Sequence, residues 1–142
     1  SSVFDNSDHN QPKNVLNYKN DQQIFQSKNE FNSWLCIDFK NNKVNPSHYT
    51  IKSNGYGSKG HYHPQSWDIE GSNDQIVFDT LDICKNQTVL DGNSLSYTFE
   101  IQHGSLSNKY YRYIRIRQTD TNSANTRKLV FSSIEFFGSI TT

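Results

Sequence analysis

The sequence predicts an all-β sandwich or barrel, and three observations carry that expectation. Apolar residues recur with a period of two rather than 3.6. The alternating runs are short and are separated by dense clusters of Gly, Ser, Asn and Asp. No segment of useful length carries a helical stripe. With 142 residues the chain reads as one domain, 1–142, long enough to bury a core. A hydrophobic content of 32% would suggest disorder if charge were lopsided, but 14 basic residues balance 14 acidic ones and aromatics reach 13%. That combination describes a folded domain with a very polar surface.

Residues 1–32 form a loop-rich N-terminal part, polar apart from anchors at Val15-Leu16, Ile24-Phe25 and Phe31. Loops of this length in a compact domain are usually functional. The first strand covers 33–39 and ends in a turn at Asn41-Asn42; the second covers 48–52 and is closed by Ser53-Asn54-Gly55. In 66–70, Trp67 and Ile69 face one side and Asp68 and Glu70 the other, before the turn at 71–74. Strands follow at 76–84, 95–101, 110–118 and 129–138. Trp34 and Trp67 sit in alternating runs with apolar partners, which places both indoles in the interior. Along 111–117, Tyr111, Tyr113, Arg115 and Arg117 share one face and Arg112, Ile114 and Ile116 the other. Arg115 then either pairs with Asp38 or Glu70 or lies on a half-solvated face. Cys36 and Cys84 each lie within an apolar run and read as buried free thiols rather than a disulfide, which leans toward an intracellular compartment.

Several function classes are disfavoured. A net charge of zero removes the electrostatic basis for binding nucleic acid or an anionic membrane. No apolar run approaches the length of a membrane span. Gly55, Gly57 and Gly60 spell a dinucleotide-loop pattern, but a strand-like run at Trp67 follows where a helix N-terminus is required. No motif embeds a serine or cysteine beside a base, so the chain is not expected to be an enzyme. Asparagine is abundant, as in Asn41-Asn42 and at 122–125, and reads as a compositional bias. The absence of methionine suggests a piece of something larger.

Five ordered motifs resemble discoidin domains, the coagulation-factor C-type, galactose-binding-like modules. They are Trp34-Leu-Cys-Ile-Asp-Phe39, Pro46-Ser-His-Tyr-Thr-Ile51, Ser66-Trp-Asp-Ile-Glu-Gly-Ser-Asn-Asp74, Tyr113-Ile-Arg-Ile-Arg117 and Ser133-Ile-Glu-Phe-Phe-Gly138. The chain looks most similar to the intracellular branch found beside BTB domains and in ubiquitin-ligase, cytoskeletal or ciliary proteins, which shares the W-x-I-E-G-S-N-D element. That branch lacks the terminal cysteine pair of secreted relatives, as this chain does. The resemblance implies an eight-stranded jelly-roll sandwich with a ligand face built by loops at one end. By strand order those loops are 2–14, 18–31 and 54–65. It also implies a possible calcium held by Asn17, Asp21 and Glu135, whose hard oxygen ligands suit that ion.

The third of these loops contains three glycines, two tyrosines and two histidines. His61 and His63, spaced H-x-H, have metal-ligand spacing but no third ligand nearby. Flat rings and hydrogen-bonding edges suit sugars or peptide side chains. The expected ligand-binding residues are therefore His9, Phe25, Tyr56, His61, Tyr62 and His63, with 119–127 next in line. A protein partner, bound by an adaptor module, is the first expectation because it fits an intracellular fragment best, and because a galactose-type site wants an aromatic platform beside an Arg/Asn/His cluster while arginine is absent from all three loops. Carbohydrate is the alternative. Exposed apolar tips are too few for a lipid surface.

Overall fold

The computed structural model describes residues 25–55, 62–102 and 108–142, together with the backbone of the strands at 2–5 and 16–19. Two sheets face each other as a sandwich. One has the strand order β1 (Ser2–Asp5), β4 (Trp34–Asp38), β9 (Tyr113–Gln118), β6 (Trp67–Ser72), β7 (Asp79–Cys84). The other has the order β2 (Leu16–Lys19), β11 (Ser133–Thr141), β5 (Lys43–Lys52), β8 (Ser96–Glu100). A ribbon of β3 (Phe25–Gln26) and β10 (Val130–Phe131) completes the fold, and no helix occurs among the described residues. β1 runs parallel to β4, while every other pairing is antiparallel.

The period-two pattern works as anticipated. Leu35, Ile37, Trp67, Ile69, Ile114 and Ile116 project from the first sheet and meet Tyr49, Ile51, Phe99, Ile134 and Phe136 from the second, all buried. Phe99 stacks on Tyr49 at 5.2 Å and receives the edge of Trp67 at 5.2 Å. Each such side chain contributes about 1.5–3 kcal/mol through burial. At the centre, Trp67 Nε1 donates to Tyr49 Oη (2.9 Å), which donates to Asp82 Oδ2 (2.6 Å).

The structure departs from the sequence reading at several points. The loop-rich N-terminal part contains two strands, β1 and β2. β5 begins at Lys43, and its Pro46 lies opposite Gly138 just where the register with β11 shifts. A Cβ on Gly138 would collide with the Asn45 carbonyl and Pro46, so only glycine fits there. β7 starts at Asp79 rather than at 76, because Asp74 Oδ1 accepts the amides of Ile76 and Val77 and turns them outward.

Trp34 is only half-buried, unlike Trp67. It lies on the outer face of its sheet, where Arg115 stacks between it (5.9 Å) and Phe78 (3.6 Å). Arg115 Nε donates to Glu70 Oε1 at 2.7 Å, which selects one of its two candidate partners. Asp38 pairs instead with Arg112 at 2.8 Å. Cys36 and Cys84 are both buried, on β4 and β7. Those strands are three strand spacings apart in the sheet order, about 14 Å. A disulfide needs Cα atoms within about 7 Å.

Candidate functional site

Strand direction decides which loops share an end. Trp34 lies opposite Arg117, Trp67 opposite both Gln118 and Cys84, and Ser133 opposite both Lys52 and Lys19. The described residues next to these positions, 25–33, 53–55, 62–66, 85–95 and 119–132, therefore gather at one end of the sandwich. Backbone hydrogen bonds tie them together: Gln87 to Gln65, Ser94 to Asn54, Ser123 to His63 and Ser27 to Leu129. Residues 18–31 and 54–65 were expected here. The first expected loop, 2–14, instead contains β1, which leaves its sheet at Asp5 beside Asp38, at the opposite end.

The loop at 119–129 is shaped by Asn122, which is buried. Its Oδ1 accepts from the amides of Ala124 (2.9 Å) and Thr126 (3.1 Å). Its Nδ2 donates to Thr126 Oγ1 (2.8 Å) and the Lys128 carbonyl (2.9 Å). Asn125 takes a left-handed φ of 60°, a conformation asparagine tolerates. The segment 27–33 is clipped alongside. Ser27 Oγ accepts the Leu129 amide (2.8 Å), and Asn29 Oδ1 accepts the Arg127 amide (2.7 Å). Ser33 Oγ donates to the Glu30 carbonyl (2.9 Å) and closes the turn.

This scaffolding presents Phe31, whose ring is 72% exposed although phenylalanine normally seeks the core. The Arg127 guanidinium stacks 3.7 Å from its centroid. Asn29, Phe31, Thr121, Asn125, Thr126 and Arg127 line a recess of about 390 Å³. On the residue after Arg127, Lys128 Nζ lies 5.2 Å from the ring of Tyr62, itself held at a φ of 57°. Such a φ is unusual for so bulky a residue and marks a conformation imposed by its surroundings.

The expected site residues separate into three groups. Tyr62 lies at this end with its ring partly exposed. Phe25 and His63 were expected at an exposed tip, and both are enclosed. Phe25 packs on Phe131 at 5.3 Å, completing the small ribbon. His63 is fully buried, with its amide donating to Ser123 Oγ and its carbonyl accepting from the Ser123 amide. Its Nδ1 lies 3.5 Å from Asp91 Oδ1. His63 thus anchors one loop to another instead of facing solvent. His9, Tyr56, His61 and Asp21 lie outside the described residues. Asn17 and Glu135 are register partners on β2 and β11, with Glu135 also opposite Thr50 on β5. Among the described residues no group of three metal-ligating side chains comes together.

Arg127 and Phe31 were missed as a pair because the sequence places them far apart. The three loops expected to form the ligand face contain no arginine. The arginine arrives from a fourth loop. An aromatic face, amide groups, hydroxyls and a cation together offer apolar stacking with directional hydrogen bonds.

No protein-family model and no curated protein sequence matches the chain. Among solved structures, however, it has the all-β jelly-roll fold of the galactose-binding-like, discoidin-type carbohydrate-binding modules called CBM32. The CBM32 of AlyQ, solved with 4,5-unsaturated mannuronic acid, aligns with a TM-score of 0.61 at 15% identity, over 91% of this chain and 98% of that one. CpGH89CBM32-5 from Clostridium perfringens, solved with GalNAc-β-1,3-galactose, aligns with a TM-score of 0.60 at 10% identity, over 83% and 79%. A SusE-like protein aligns with a TM-score of 0.61 at 19% identity over 79% of this chain, which spans 48% of its length. These similarities give no support to the BTB-associated branch.

Proposed function

We propose that this domain is a non-catalytic carbohydrate-binding module whose ligand lies on Phe31 at the loop end of the sandwich. The observation that carries the reading is the exposed Phe31 ring with Arg127, Asn29 and Asn125 around it. The apolar face of a pyranose would stack on the ring, and its hydroxyls would meet the amides and the guanidinium. Tyr62 and Lys128 form the adjoining rim. Phe25 and His63 serve as scaffold.

Two neighbours of this fold were solved with sugars bound, which supports carbohydrate over the protein partner that sequence reasoning ranked first. That ranking rested in part on the lack of arginine in three loops, and Arg127 removes that part of its basis. Another neighbour is a truncated AlyQ with CBM32 and alginate lyase domains, of which this chain covers 27%. It supports a role as one module of a longer protein.

Isothermal titration against a panel of neutral and acidic oligosaccharides tests the reading. Wild type should bind at least one glycan, and Phe31→Ala should weaken that binding by tenfold or more. Stability should change by less than about 0.5 kcal/mol, as at most surface positions. Binding to no glycan, or to a glycan without dependence on Phe31, would overturn the proposal.

A further inference from the structure

The four arginines of this chain are not used alike. Arg112 pairs with Asp38, Arg115 with Glu70, and Arg117 with Asp68 and Glu70, all at 3.1 Å or less. Arg127 forms no ion pair among the described residues. Its guanidinium is held by stacking 3.7 Å from Phe31, and its backbone amide is fixed by Asn29. The next residue repeats the arrangement: Lys128 lies over Tyr62, also without a carboxylate among the described residues. Two consecutive cations are thus held on aromatic rings with no counter-ion among the described residues, and Arg127 lines the recess beside the platform. The chain as a whole is neutral, so this is a local excess of positive charge.

Stacking leaves the edge of a guanidinium open, and its N–H fork matches a carboxylate in bidentate geometry. Holding the fork in advance reduces the side-chain entropy lost on binding. From this unpaired pair of cations we infer that the preferred ligand is an acidic sugar: the ring of a uronic acid on Phe31, its carboxylate on Arg127 with Lys128 beside it. The inference rests on the carbohydrate-binding reading above and deepens it by fixing the ligand's charge. The amides of Asn29 and Asn125 remain for the hydroxyls. A sulfate ester would meet the same cations, but the planar fork favours the planar carboxylate.

The test compares matched probes that differ only in charge. Oligomers of mannuronic and galacturonic acid are titrated into the protein at low salt as free acids and as methyl esters, alongside sulfated galactan oligomers. The free acids should bind at least tenfold tighter than their esters, and that preference should shrink between about 20 mM and 300 mM salt. Arg127→Gln should abolish the preference, Arg127→Lys should restore part of it, and Phe31→Ala should weaken acid and ester together. Thermal unfolding of each variant checks that the fold is retained. Esters or neutral sugars binding as tightly as acids, through Phe31, would overturn the acidic assignment and leave the carbohydrate reading intact. Tighter binding of the sulfated oligomers would move the assignment from carboxylate to sulfate and overturn it in that form. Failure of every glycan would remove both readings together.

Discussion

The hydroxyl of Tyr49 sits in the middle of the core between Trp67 and Asp82 and also lies 3.4 Å from Cys84 Sγ. It accepts from Trp67 Nε1 at 2.9 Å and donates to Asp82 Oδ2 at 2.6 Å, and all three side chains are buried. Asp82 Oδ1 is taken by the Gln102 amide at 3.3 Å, so the carboxylate is held by neutral donors. Removing the hydroxyl would orphan the indole N–H and leave Asp82 Oδ2 with only the Cys84 thiol, 3.6 Å away, while the ring still filled its space. Each orphaned group costs about 1–3 kcal/mol. Tyr49→Phe should therefore destabilise the domain by roughly 2–4 kcal/mol, measured by urea unfolding with an unchanged slope. A loss below about 0.5 kcal/mol would mean that the network relaxes without the hydroxyl. The aromatic stack was legible from alternation alone. Its polar centre was not, because Asp82 comes from a neighbouring strand and nothing local marks it as inward.

At the scale of elements, the decisive piece is the loop at 119–129, with no regular structure until β10. The Asn122 side chain makes four hydrogen bonds within it, and these fix the backbone that carries Asn125, Arg127 and Lys128. Asn122→Ala should loosen the loop before it unfolds the domain. The amides of Ala124 and Thr126 should exchange faster with deuterium, and glycan affinity should fall several-fold while the β-strand amides keep their protection. Unchanged loop exchange would show that the ring stacking of Arg127 suffices to hold it. The sequence offered this asparagine only as one of an abundant residue type, and abundance conceals role. The same limit applies to β1 and β2, where isolated apolar anchors in polar sequence became strands only through their partners, Leu16 beside Phe136 for instance. Long alternating runs such as Tyr113–Gln118 were readable because each residue declares its own face. The pairing of Phe31 with Arg127 was not, because topology, rather than spacing, joins them.

At the scale of the whole molecule, charge placement sets the range of pH over which the fold holds. On the acid side, Asp38 is held below the usual carboxylate range. Burial pushes it up, but the Arg112 hydrogen bond, the Lys40 amide and the adjacent positive charges outweigh burial. Asp74 is lowered by the amides of Ile76 and Val77 and by Ser72, and Asp79 by Lys109 and Tyr111. A carboxylate lowered in the folded state contributes stability above its unfolded value, about 4, and loses it as pH falls through the folded value. Asp68 works the other way, since burial raises it, although Arg117 offsets part of that. Three lowered groups against one raised group give a net loss on acidification. On the alkaline side, burial pushes both Cys36 and Cys84 up to about 11, and burial also raises Tyr49 and Tyr111. Groups raised in the folded state contribute stability below their unfolded values and lose it as pH climbs, starting for the thiols near 8.5. The melting temperature should accordingly be flat between about pH 5 and 8 and decline on both sides. Asp74→Asn should flatten the acid limb alone, and Cys36→Ser with Cys84→Ser should flatten the start of the alkaline limb relative to its own plateau. A melting temperature that instead rises as pH falls from about 6 to 4 would show that the part-buried Asp68, and not the three lowered carboxylates, governs the acid response.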